Sequence, residues 1–125
     1  MTSLQLGQMV PLPDQEYFEA LIGKRTDDRL IKRGAARFVI VYFTAKWCGA
    51  CKRLDLAKIC GGFTGIVFYK CDIDENDYTA GFCGIRSIPT FLAIQDGKIL
   101  DTLGSSDTQK VGDWIYDTFK VKSSV

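Results

Sequence analysis

Apolar residues gather in three short runs, Phe38–Phe43, Ile66–Tyr69 (continuing to Ile73) and Phe91–Ile94. Continuous β-branched and aromatic runs of this length predict strands buried on both faces. Elsewhere the apolar positions recur at helical spacing. Phe18, Leu21 and Ile22 form one stripe, and Val111, Trp114, Ile115 and Phe119 form another. Polar punctuation sets the boundaries. Asp14 caps a helix from Gln15 to about Ile22, which Gly23 ends. Asp74-Glu75-Asn76-Asp77 caps a short helix running to about Cys83, and Ser106 or Asp107 caps the last one. Gln95-Asp96-Gly97-Lys98 predicts a hairpin turn into a strand over Ile99–Leu103, broken by Gly104. A short edge strand is expected at Gln8–Val10, and Pro11 and Pro13 should forbid regular structure around Leu12. The order β-α-β-α-β-α-β-β-α predicts an α/β fold, a mixed sheet with helices on both faces.

Two stretches carry less pattern. After the first strand, a helix is expected from about Cys48 to Ile59, with Leu54, Ala57 and Ile59 toward the sheet and Gly61-Gly62 as its stop. Lys24–Arg37 is charged and nearly all polar apart from Leu30 and Ile31. It reads as a solvated connector; the alternatives are a helical turn capped by Thr26 and a docking loop for a partner. Residues 1–10 read as a loose start and 121–125 as a tail.

At 125 residues the chain is one domain, 1–125, with a real core. Sixteen basic residues balance fifteen acidic ones, which argues against a nucleic-acid stripe or a polybasic membrane patch. No apolar run reaches membrane-spanning length, and the first ten residues lack the pattern of a secretory leader, so a cytoplasmic location is expected. There is no histidine, which removes Ser–His–Asp and Cys–His catalysis. The five cysteines, Cys48, Cys51, Cys60, Cys71 and Cys83, are an odd number and do not suggest a disulfide framework. Cys60, Cys71 and Cys83 lie far apart in sequence, so no metal site is expected. Cys71 reads as core, Cys60 as an exposed helix end, and Cys83 as an inert thiol.

The chemistry lies where the first run ends. Trp47-Cys48-Gly49-Ala50-Cys51-Lys52 falls at a strand-to-helix junction, where unpaired N–H groups stabilise an anion. A thiol there has a lowered pKa, and the thiolate is the nucleophile. Two intervening residues bring both sulfurs to one side of the first turn. Cys48 can attack a target disulfide, and Cys51 can release the target by closing the internal pair. Two core cysteines would not need this junction or these neighbours.

This segment resembles the thioredoxin active site, usually W-C-G-P-C-K, and Gly84-Ile85-Arg86-Ser87-Ile88-Pro89-Thr90 resembles the family's second signature. The resemblance spans roughly Pro13 to Lys120 and implies the thioredoxin fold. It also implies a redox-active Cys48–Cys51 disulfide and a cis Pro89 facing it. Trp47 is then a contact surface beside the sulfurs, and Gly49 allows close approach of a target backbone. Ile88 offers backbone groups for strand-like pairing with an extended substrate. Ile73, Asp74 and Gly104 border the same groove, with Asp74 orienting Trp47. The implied activity is reduction of protein disulfides by a monomer with no bound cofactor. An NADPH-dependent thioredoxin reductase would recycle it, which implies roles in electron transport and cell redox homeostasis.

Four departures stand out. Ala50 replaces the usual proline, which should make the couple more oxidising. Leu56 replaces a kinking proline, so the helix should be straighter. Lys24–Arg37 is longer than the family's usual connection. Tyr42 replaces a buried Asp that assists proton removal from the resolving thiol, while that Asp's usual partner, Lys70, is present. A phenol is a poor base near neutral pH unless Lys70 depresses it. Alternative readings are a more oxidising, isomerase-like or nucleoredoxin-like exchanger, and a thioredoxin-fold scaffold subunit.

Overall fold

The computed structural model describes residues 8–34 and 36–121. The loose start expected over 1–7 and the tail expected over 122–125 lie outside the described residues.

Five strands form one sheet in the order β1-β3-β2-β4-β5. They are β1 (Met9–Pro11), β2 (Phe38–Thr44), β3 (Ile66–Asp72), β4 (Thr90–Gln95) and β5 (Lys98–Gly104). β1 and β2 flank β3 in parallel, and β4 and β5 continue the sheet antiparallel. The three apolar runs thus become the three central strands. Pro11 closes β1 rather than excluding it; a missing N–H is tolerated on an edge strand. Asp96 and Gly97 take positive φ angles of 51° and 80°, as a tight hairpin between twisted strands requires.

Alternation along each strand divides the core in two. Val39, Val41, Phe43, Val67, Tyr69 and Cys71 face one side, under α1 (Gln15–Leu21) and α4 (Asp77–Phe82). Ile40, Tyr42, Ile66, Phe68, Phe91 and Ala93 face the other, under α3 (Leu56–Gly62) and α5 (Thr108–Phe119). Asp14, Asn76 and Asp107 cap α1, α4 and α5 by accepting from backbone N–H groups of the first turn. Trp114 is only partly buried, and its indole N–H donates to Asp101.

The connector after α1 is not simply solvated. Asp28–Arg33 form a helix, α2, and its cap is Asp27 rather than Thr26. The apolar pair divides: Leu30 packs on the core, while Ile31 stays exposed. Arg29 ties α2 to α1 by bonding the carboxylates of both Asp27 and Asp14, with its guanidinium 5.5 Å from the Tyr17 ring centroid. Those bonds hold the Asp27 carboxyl down at about 2. A local pattern of charges gives no hint of this, because the partner sits fifteen residues away.

The helix expected over Cys48–Ile59 is broken rather than straight. Ala50–Arg53 form a short 3-10 segment, Leu54 is extended (ψ 138°), and α3 starts at Leu56. Asp55 makes the break. Its carboxylate caps α3 by accepting from Lys58 N–H, and its own N–H donates to Thr108 Oγ1 of α5. The restart changes the helical phase, so Ala57 is exposed and Cys60 turns inward with Ile59. Cys60 is therefore buried, not at an exposed helix end.

Candidate active site

Strand β2 delivers the reactive turn. After Thr44 the chain bends, Cys48 N–H donates to Ala45 C=O, and the 3-10 segment begins at Ala50. Cys48 and Cys51 are joined by a disulfide with their Cα atoms 5.4 Å apart, within the range a disulfide spans without backbone movement. The Cys51 backbone N–H donates to Cys48 Sγ at 3.1 Å. It is one of the orphan donors of a helical N-terminus, and it points at the sulfur of the outer cysteine. Both sulfur-bearing residues are buried, whereas Gly49 between them is exposed. The turn therefore presents a bare backbone to solvent over a sheltered pair of sulfurs.

Trp47 stands beside this turn, 66% exposed. Its indole N–H donates to Asp74 Oδ2 at 2.8 Å, which fixes the ring. Asp74 is itself held, its N–H donating to Asp72 Oδ1, and Ile73 N–H donates to Thr44 C=O at the end of β2. The chain after β3 is thereby stitched to the dithiol turn.

The third wall comes from β4. The Ile88–Pro89 peptide bond is cis. The next residue, Thr90, pairs with Phe43 on one side and Gly104 on the other, placing Pro89 at the sheet end where β2 delivers the cysteines. Thr90 Oγ1 donates to Ser87 C=O at 2.7 Å and latches the corner, a contact that the sequence pattern does not announce. A Cβ on Gly104 would come within 3.6 Å of Thr90 Oγ1 and 3.8 Å of Pro89 O, ordinary contact distances. Gly104 thus lies against the corner but is not demanded by crowding within the chain.

Tyr42 is buried, 1% exposed, and its ring stacks on Phe91 with centroids 4.9 Å apart. Burial pushes its phenol pKa up, opposed in part by a hydrogen bond with Thr44. Lys70 is its register partner on β3 but is exposed. The two residues are neighbours in the sheet without forming the buried ion pair their positions suggest. Thr44, buried and bonded to the phenol, is the polar residue that sequence reasoning missed; a lone threonine closing an apolar run gives little signal.

The other thiols sit apart from this chemistry. Burial pushes Cys60 and Cys71 up to about 12 and the half-buried Cys83 up to about 11. Among the described residues no group of three or more His, Cys, Asp or Glu is placed to hold a metal ion. No helix among them is long and apolar enough to cross a membrane.

Residues 14–117 match the family model described as Thioredoxin. A thioredoxin of Geodia cydonium is 39% identical over 75 residues, covering 58% of this chain and 71% of the relative. A protein named Thioredoxin 2 from Chlorobaculum tepidum is 41% identical over 93 residues, covering 70% of this chain and 81% of the relative. The crystal structure of thioredoxin from Trypanosoma brucei brucei superposes with a TM-score of 0.77 at 24% identity, over 94% of this chain and 96% of that one. That last likeness speaks for the fold.

Proposed function

Because this chain belongs to the thioredoxin family and is a thiol–disulfide oxidoreductase, we propose that Cys48 is its attacking thiol and Cys51 its resolving thiol. One observation carries this assignment: the Cys51 N–H directed at Cys48 Sγ. A donor on that sulfur favours its thiolate, which is the attacking form. In the reduced chain, Cys48 thiolate attacks one sulfur of a target disulfide and expels the other as a thiolate. Cys51 then loses its proton and attacks Cys48 Sγ, breaking the mixed disulfide. The target leaves with two electrons and gains two protons, and the chain keeps the Cys48–Cys51 disulfide.

Around this couple, Trp47, Ile73, Asp74, Ile88, Pro89 and Gly104 form the groove for an extended segment of the target. Ile88 supplies backbone groups for strand-like pairing. The oxidised chain is returned to the dithiol by an NADPH-dependent thioredoxin reductase. The whole of 1–125 acts as one thioredoxin domain, a cytoplasmic monomer. Support for the single domain comes from the family match over 14–117 and from one sheet with a core on each face.

Ala50 and Tyr42 favour a second reading, a more oxidising exchanger. Ala50 is the first residue of the 3-10 segment, where proline's fixed φ would suit the backbone and stiffen it. The deciding experiment is a redox titration in graded thiol/disulfide buffers, with alkylated cysteines counted by mass. A two-thiol transition mapped to Cys48 and Cys51 near about −270 mV, typical of thioredoxin, supports the reductase. A transition nearer about −180 mV supports the oxidising exchanger. No reversible pair would overturn both and leave a scaffold.

A further inference from the structure

Helix α4 (Asp77–Phe82) buries Thr79 and Ala80 and turns two aromatic rings outward. Tyr78 is 65% exposed and Phe82 is 49% exposed. They are four residues apart, so they share one flank of the helix. Phe82 touches the Phe18 ring only edge-on, at 6.1 Å between centroids, which leaves the rest of its surface open. Two half-exposed aromatic rings on a six-residue helix are unusual for a surface with no partner, because aromatic residues are enriched where partners bind.

Both ends of α4 are joined to the dithiol site. At its start, the loop that caps it carries Asp74, which holds the Trp47 indole, and Glu75, which lies 4.0 Å from Lys46. At its end, Ile85 N–H donates to Ala80 C=O, and the chain runs directly into the cis Ile88–Pro89 corner. Helix α4 is thus continuous in the chain with both sides of the groove. Its surroundings lean acidic, with Lys46, Lys70 and Arg86 as the basic residues nearby. Asp72, Asp74, Glu75 and Asp77 crowd into six residues of a chain whose net charge is only +1. Asp74 and Glu75 already have neighbours, whereas Asp77 has no ion pair among the described residues.

We propose that α4 is a specificity surface of this oxidoreductase, on which Tyr78, Phe82 and Asp77 engage a protein substrate whose disulfide is flanked by basic residues. Arginine fits best, because its guanidinium stacks on an aromatic face and pairs with a carboxylate. This rests on the groove reading above, and the test separates the two. The probes are two synthetic peptides with the same internal disulfide, one flanked by arginines and one by glutamates, together with a small aromatic disulfide. The parent chain should prefer the arginine peptide, with a preference that shrinks as salt is added. Tyr78→Ser with Phe82→Ser should raise KM for the arginine peptide roughly tenfold with kcat unchanged. Asp77→Lys should abolish the preference, and both variants should reduce the small disulfide like the parent, which also reports that they are folded. A parent that reduces the small disulfide yet treats both peptides alike overturns the α4 surface alone. A parent that reduces none of the three overturns the dithiol reading with it.

Discussion

The resemblance to thioredoxins implies a titratable group at the position of Tyr42 to help the resolving cysteine we propose, and the environment of this tyrosine removes that ability. A base must ionise near the working pH, and burial moves this phenol the wrong way, above its usual value of 10. Its neighbour Thr44 opposes the shift only in part, and Lys70 is exposed to solvent. Deprotonation of Cys51 then falls to solvent or to the leaving thiolate of the target, and resolution of the mixed disulfide should be slow. Two substitutions test this. Tyr42→Phe should change turnover by less than about threefold, whereas loss of a true general base costs about a hundredfold or more. Tyr42→Asp should speed the resolving step, read as faster decay of the mixed disulfide in single-turnover kinetics. Unchanged decay in the Asp variant would mean that proton removal does not limit the step.

At the scale of elements, the joint between the 3-10 segment and α3 departs furthest from expectation. Proline is the familiar way to break a helix, and Leu56 stands where the family carries one. The break survives because an aspartate supplies it from outside the helix: Asp55 caps α3 and hands its own N–H to Thr108. Losing such a cap costs about 1 kcal/mol. Asp55→Ala should therefore lower the unfolding free energy measured in urea by that amount, and Asp55→Asn, which keeps an accepting oxygen, should recover most of it. Equal losses in the two variants would show that the carboxylate charge rather than the cap matters. The cap was legible in principle, as an Asp before an apolar helical stripe. The apolar pattern from Leu54 to Ile59 hid it, because it fits one continuous helix almost as well as two pieces. The strands were easier to read, since a run buried on both faces admits few alternatives. The dithiol was legible from Trp47 to Lys52 because its chemistry is local. Tyr42 and Thr44, Asp55 and Thr108, and Arg29 and Asp14 were not, because each pairing depends on how the chain folds back.

The whole molecule carries two of its three spare thiols inside, one on each face of the sheet: Cys60 on the inward side of α3 and Cys71 on β3. Each is pushed from an ordinary 9 up to about 12 by burial, which disfavours the charged form. Cys83 follows to about 11. The sign of the linkage is fixed by which state keeps its protons. Below pH 9 both the folded and the unfolded chains hold these thiols neutral, and they contribute no pH dependence. Above it the unfolded chain ionises while the folded chain does not, so unfolding gains free energy with each further unit of pH. Stability should therefore decline steadily from near pH 9 toward about 12, where the folded thiols titrate in turn. Urea midpoints of the disulfide form, in which Cys48 and Cys51 do not titrate, measure this at a series of alkaline pH values. Tyrosines and lysines also ionise there, so the slope is compared with that of a Cys60→Ala, Cys71→Val variant. The variant starts from a different midpoint because its core packs differently, but its midpoint should fall less steeply with pH. Equal slopes would mean that the buried thiols reach water before the chain unfolds, and that the two core faces open locally in alkali.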